Sequence, residues 1–164
     1  MPEKKTVERA RKDRREGKSP STQAGEFVSE EIHHIREGKH GARSAKQAIA
    51  IGLSKARRAG VRLRAPRKGQ ASARTHRSAK SALRRGRSSA KPSARRSRAT
   101  LGALRREGRS AASRASLGRQ ARSSARRRGP RARSAAAMKA VRTKGPRERS
   151  AAARKAARTR ARRS

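Results

Sequence analysis

Residues 26–61, EFVSEEIHHIREGKHGARSAKQAIAIGLSKARRAGV, hold enough larger apolar side chains to build a small core, and their reading decides the fold. In the second half the local signals agree. Ser44 followed three residues later by Gln47 is a capping box, in which the hydroxyl takes one orphan amide and the side-chain amide reaches back. Gly60 supplies the left-handed residue that ends a helix, and Val61 sits where a Schellman motif makes its apolar contact, here with Ala56. At about 100° per residue, Ala45, Ala48, Ile49, Gly52, Leu53, Ala56 and Ala59 share an arc of roughly 140°. Lys46, Gln47, Ser54, Arg57 and Arg58 fall on the opposite side. Ile51 breaks the pattern and is expected to be exposed or to bind something. The spacing predicts an amphipathic helix from Ala45 to Ala59.

In the first half Val28, Ile32 and Ile35 line up at i, i+4 and i+7, with Phe27 to one side. Glu26, Glu30 and Glu31 fall in the first turns of the helix expected here, where they complement its dipole. Gly38 is a plausible residue to close it, and Gly38 to Arg43 has the length that joins antiparallel neighbours. The pair reads as an αα-hairpin with Ile32, Ile35, Ile49 and Leu53 in contact. Burying the few larger apolar groups of 26–61 does not clearly offset the entropy of ordering them. The hairpin is therefore expected to form a homodimer or to firm up on a partner.

The string GKHGARSAKQAIAIGLSKARRAGV, residues 38–61, resembles a small bacterial domain family marked by a K-Q-A-I-A-I-G-L-S-x-A-R-x-A-G core. Members are described as DNA-binding or histone-like basic proteins. The resemblance covers about a quarter of the chain and implies DNA binding without implying any catalytic residue. The Arg/Ala/Ser-rich remainder resembles linker-histone tails and protamines in composition only.

Charge is distributed very unevenly along the 164 residues. Residues 1–37 carry nine Lys/Arg and eight Asp/Glu, residues 38–61 six and none, and residues 62–164 thirty-six against only Glu107 and Glu148. The total is +41, with 30% hydrophobic and 37% charged residues, which is the compositional signature of disorder. The expected organisation is thus mainly α: a charged leader and linker over 1–25, a helical hairpin over 26–66, and a low-complexity, mostly disordered cationic tail with transient helices over 67–164. Met1 to Lys18 suits a frayed helix held by pairs such as Glu8 with Lys12. Ser19-Pro20-Ser21-Thr22 reads as a linker and stop signal, and Pro66 marks the end of the hairpin.

The tail repeats itself. GPRARSAAAMKA from Gly129 recurs as GPRERSAAARKA from Gly145, and Arg-Ser-Ala appears at Arg43, Arg77, Arg109, Arg133 and Arg149. Each Ser of such a unit is a candidate cap for a short Ala-rich helix. Drift toward Arg and Ala codons in a GC-rich genome would explain part of the repetition, but not the missing acids.

A basic run this bare of acids implies a polyanion. Each Lys or Arg that neutralises a phosphate releases counterions, and Arg in addition clamps phosphate through a fork or enters a narrow minor groove. The candidate nucleic-acid contacts are Lys39, Arg43, Lys46, Lys55, Arg57, Arg58, Arg62 and Arg64 in and beside the hairpin. In the tail they are Arg84, Arg85, Arg95, Arg96, Arg105, Arg106, Arg126, Arg127, Arg128, Arg131, Arg133, Arg147, Arg149, Arg154, Arg162 and Arg163. Folds that stack unpaired bases need exposed aromatics, and the one Phe, Tyr or Trp is Phe27, at a core position. Duplex DNA is therefore the expected partner and RNA, in a ribosome-associated role, the alternative; a third reading docks the acidic first helix on a protein. The Gly38–Arg43 connector is longer than a helix-turn-helix turn, which argues against base readout.

Other chemistry is excluded more simply. There is no cysteine, so no disulfide or thiolate metal site. His33, His34 and His40 lie close together near Glu30, Glu31 and Glu37, which invites a metal site. Adjacent histidines on a helix diverge by about 100° and do not jointly close a tetrahedral site, so these histidines are expected to face solvent or phosphate and no metal or cofactor is expected. Without a nucleophile–base order, a Walker loop or a Gly-rich fingerprint, no enzyme is expected. The longest apolar run, Ala48 to Leu53, is far short of a membrane span, and no secretory signal is seen. The expected location is cytoplasmic and nucleoid-associated.

Overall fold

The computed structural model describes residues 2–67, 69–86, 88 and 93–162, with Lys144 as backbone only. It is mainly helical: α1 (Lys4–Arg15), α2 (Pro20–Arg36), α3 (Ala45–Arg58), α4 (Ala73–Gly86), α5 (Ala94–Arg105), a 3₁₀ turn (Ser110–Ala112) and α6 (Arg114–Ala161). Two compact units divide the chain, Met1–Gln120 and Ala121–Ser164. The first unit thus extends well beyond the hairpin boundary expected at residue 66.

The helix α3 is built by the local signals expected of it. The Ser44 hydroxyl accepts from the Gln47 amide at 3.2 Å, while the Gln47 side chain reaches one residue further back than a standard box and accepts from the Arg43 amide. At the other end Gly60 has φ +89°, and the Val61 amide donates to the Ala56 carbonyl. Val61 and Ala56 then bury together.

The start of α2 differs from the expectation. Ser19-Pro20 opens the helix instead of stopping one: the Ser19 hydroxyl accepts from the Thr22 amide, and Pro20 occupies the first turn, where its missing N–H costs nothing. The helix therefore begins six residues earlier, and Glu26, Glu30 and Glu31 lie in its middle, not at its N-terminus. Gly38 closes it at φ +80°, with the Lys39 amide on the His34 carbonyl.

The core forms two clusters. Ala10, Ala24, Phe27, Ala56 and Val61 are buried together with Val7, Leu53 and Leu63 packed against them. Ile35, Ala42, Ala48, Ala111 and Ala112 form the second, with Ile32. Ile32 and Ile35 thus sit apart from Leu53, and Ile49 is only partly buried. The cover that a two-helix hairpin lacks comes from this same chain. The leader contributes α1, tied by Arg9–Glu26 at 2.9 Å, and the supposed tail contributes Ala111 and Ala112.

The mostly disordered tail expected from residue 67 is corrected by the structure, which is helical over most of that length. Ala and Arg rank high in helix propensity, and caps start the segments. Ser72, Ser93 and Ser113 accept from Thr75, Arg96 and Ser116 amides. Of the Arg-Ser-Ala units only the one at Arg43 supplies a cap; Ser78, Ser134 and Ser150 lie inside helices. Small side chains also let α4 and the 3₁₀ turn dock closely, with Ala79, Ala82, Ala111 and Ala112 buried.

Two glycines make that docking possible. A Cβ on Gly86 would lie 2.1 Å from the Arg57 carbonyl oxygen, and one on Gly41 would lie 1.9 Å from that of Glu107. At Gly41 the backbones are also bonded, Gly41 amide to Leu104 carbonyl and Ala42 amide to Gly108 carbonyl. Gly41→Ala is expected to cost about 3 kcal/mol and to detach 104–112. Hydrogen exchange should then lose protection at the Ala42 amide while the α3 amides keep theirs. Unchanged exchange at Ala42 would show that the segment does not dock there.

Candidate nucleic-acid interface

Unit 121–164 holds seventeen Lys/Arg and a single acid, Glu148. Its described residues are helical nearly throughout and none is buried. Within α6 only Gly129 and Gly145 leave helical geometry, at φ 73°, ψ 168° and φ 65°, ψ 171°. That region is open essentially to glycine alone. Each Gly is followed by Pro130 or Pro146, which restarts the helix at its first position. The Arg133 guanidinium then donates to the Gly129 carbonyl at 3.3 Å, and Arg149 repeats the bond to Gly145 at 3.2 Å.

The sequence repeat is therefore a structural one. Arg131, Arg133, Lys139, Arg142 and Lys144 recur sixteen residues on as Arg147, Arg149, Lys155, Arg158 and Arg160. At about 100° per residue these positions fall on more than one side of the helix, and Met138 and Val141 are exposed between them. Lys139, Arg142, Lys155, Arg158 and Arg160 were not among the residues singled out from the sequence; Lys139 and Lys155 lie inside the quoted repeat, and extending it past Ala140 and Ala156 finds the other three.

In the first unit the candidates separate into two kinds. Lys55 and Arg57 are taken up internally and are withdrawn as contacts. The Lys55 ammonium lies against Glu31 and, at 3.4 Å, Glu30. Arg57 is buried, and its guanidinium donates to the carbonyls of Leu63 and Arg64; burial pushes it below the ordinary guanidinium range. Lys39 pairs with Glu37 at 3.0 Å and Arg43 with Glu107 at 3.7 Å, both at exposed positions.

Lys46, Arg62, Arg64, Arg84, Arg85, Arg95, Arg96, Arg105 and Arg106 are exposed, as are Arg126, Arg127, Arg128, Arg131, Arg133, Arg147, Arg149, Arg154 and Arg162. Arg163 lies outside the described residues. Where the ends of α3 and α4 meet, Arg58 comes close to Arg85. Burial of part of its guanidinium, and then the Arg85 charge, hold Arg58 below its ordinary range. Like charges within electrostatic reach of each other are relieved by an anion.

No helix among the described residues is long and apolar enough to cross a membrane. Comparison with protein-family models, curated proteins and solved structures found no match to this chain.

Proposed function

We propose that this protein is a non-enzymatic, histone-like binder of duplex DNA that compacts it by neutralising phosphates, without sequence preference. The observation that carries this reading is the arm 121–164, seventeen basic residues against one acid on helices that bury nothing of their own. A helix about 10–12 Å across fits a B-DNA major groove about 12 Å wide, which brings basic groups on both flanks to the phosphates of both strands. Arg dominates the arm, and its planar fork suits phosphate oxygens. The first unit adds exposed basic groups such as Arg58 and Arg85. The resemblance of residues 38–61 to histone-like proteins is in keeping with this reading, under which the protein would work on the nucleoid in the cytoplasm.

Duplex is favoured over unpaired RNA because Phe27, the one residue of its kind able to stack on bases, is 1% exposed inside the core. Phosphate contacts do not read sequence. Affinities for two unrelated duplexes of equal length are therefore expected to agree within a few-fold at any one salt concentration. A gap of a hundredfold would mean base readout. Structured RNA, added as competitor at fixed salt, should displace duplex only in excess; displacement at equimolar RNA would transfer the reading to RNA.

A further inference from the structure

Where α2 runs into its connector, the charge balance of this polycation reverses. Four carboxylates, Glu3, Glu30, Glu31 and Glu37, and two ammonium groups, Lys39 and Lys55, contact one another and the rings of His34 and His40. Arg58 acts on Glu31 only from farther out.

One nitrogen of each ring is already engaged. His34 Nε2 lies 2.8 Å from Glu3 Oε1, and His40 Nδ1 lies 3.0 Å from the Gly41 carbonyl. Carboxylates and carbonyls only accept, so those nitrogens carry the protons. In a neutral ring the other nitrogen, His34 Nδ1 or His40 Nε2, presents a lone pair.

His40 Nε2 is 3.1 Å from Glu31 Oε1. Glu31 is fully buried, and neither of its oxygens is in hydrogen-bonding alignment, although Lys55 touches Oε2. With a neutral ring two lone pairs face each other across that gap, and either a proton or a metal cation between them turns repulsion into binding. One donor atom from each of Glu31, His34 and His40 lies within 4.8 Å of the others.

We propose that Glu31, His34 and His40 form a metal site that takes a divalent transition ion, Zn²⁺ foremost. Two imidazoles and one carboxylate with an open fourth position is a donor set that zinc favours, whereas Mg²⁺ and Ca²⁺ require oxygen. Tetrahedral bonds of about 2.0–2.1 Å set donors roughly 3.4 Å apart, so the side chains close inward by about an ångström on binding. Glu3 and the Gly41 carbonyl act as the outer partners that orient ligating histidines. Lys55 stays on Oε2, leaving Oε1 for the metal. The sequence groups His33, His34 and His40 near these glutamates, and the divergence of adjacent histidines sets the idea aside; the fold leaves His33 exposed and brings His34 and His40 together over Glu31. The ion joins α2 to the connector that leads into α3, so it acts as a fastener.

The test uses the full chain, stripped with EDTA and titrated with Zn²⁺ alone against a chromophoric chelator. One Zn²⁺ per chain at micromolar concentration, with a raised melting temperature, is the expected result. Co²⁺ in its place should give the visible absorption of a tetrahedral site. His34→Ala and His40→Ala should each weaken uptake at least about tenfold, and His33→Ala should leave it unchanged. If His40→Ala fails to fold, His34→Ala, at a partly exposed position, carries the comparison. Absence of micromolar uptake, or equal uptake by His33→Ala and His34→Ala, overturns the proposal.

Discussion

A chain ending at Gln120 will bind duplex DNA with a much flatter salt dependence than the full chain. Each phosphate neutralised contributes about −0.9 to the slope of log K against log salt. The arm removed carries seventeen basic residues. If half of them engage, the slope becomes shallower by about 7–8, and most of the low-salt affinity goes with it. The compact unit that remains keeps its own two-cluster core, so the loss is one of contact and not of folding. Its residual binding should come from exposed groups such as Arg58 and Arg85. Fluorescence anisotropy on a labelled duplex, run at several salt concentrations, gives both slopes. Equal slopes for the two chains would mean that the arm does not touch DNA, and the histone-like reading would be lost.

Phe27→Ala will unfold much of the first unit. The ring is 1% exposed, and four of its neighbours in the cluster are Ala10, Ala24, Ala56 and Val61. Small neighbours of this kind cannot swing in to fill the space, so the substitution sits at the costly end of its class, about 3–5 kcal/mol. That is a large part of the total stability of a domain this size, about 5–15 kcal/mol. A fall in melting temperature of roughly 10–25 °C is expected by circular dichroism. Ile51→Ala, at a partly buried position in neither cluster, is the comparison and should lose far less. Similar losses from both would show that the core is not centred on Phe27.

What the sequence determined by itself is local. The ends of α3 are legible because their causes lie within a turn: Ser44 meets the Gln47 amide, and Gly60 lets Val61 fold back on Ala56. The strong positive charge is legible for a similar reason, since net charge needs no fold to be counted. The two Gly-Pro breaks in α6 are equally readable, because Gly129 and Gly145 alone supply the backbone angles required.

Tertiary structure decided the rest. Ser19-Pro20 ends a segment or starts one according to whether the residues after it find cover, and Ala24 and Phe27 find it against α1 and α3. The basic segments after residue 66 read as disordered because they lack large apolar groups. Two of them, α4 and the stretch 104–112, dock all the same, since Gly86 and Gly41 allow backbone to meet backbone and alanines fill what little space remains. Lys55 and Arg57 look like their exposed neighbours in sequence, yet one is drawn onto Glu31 and the other onto the Leu63 and Arg64 carbonyls. His34 and His40 meet only because the connector after Gly38 turns back on α2. Periodicity describes a single helix, and these groups come together between elements, where distance along the chain no longer measures distance in space.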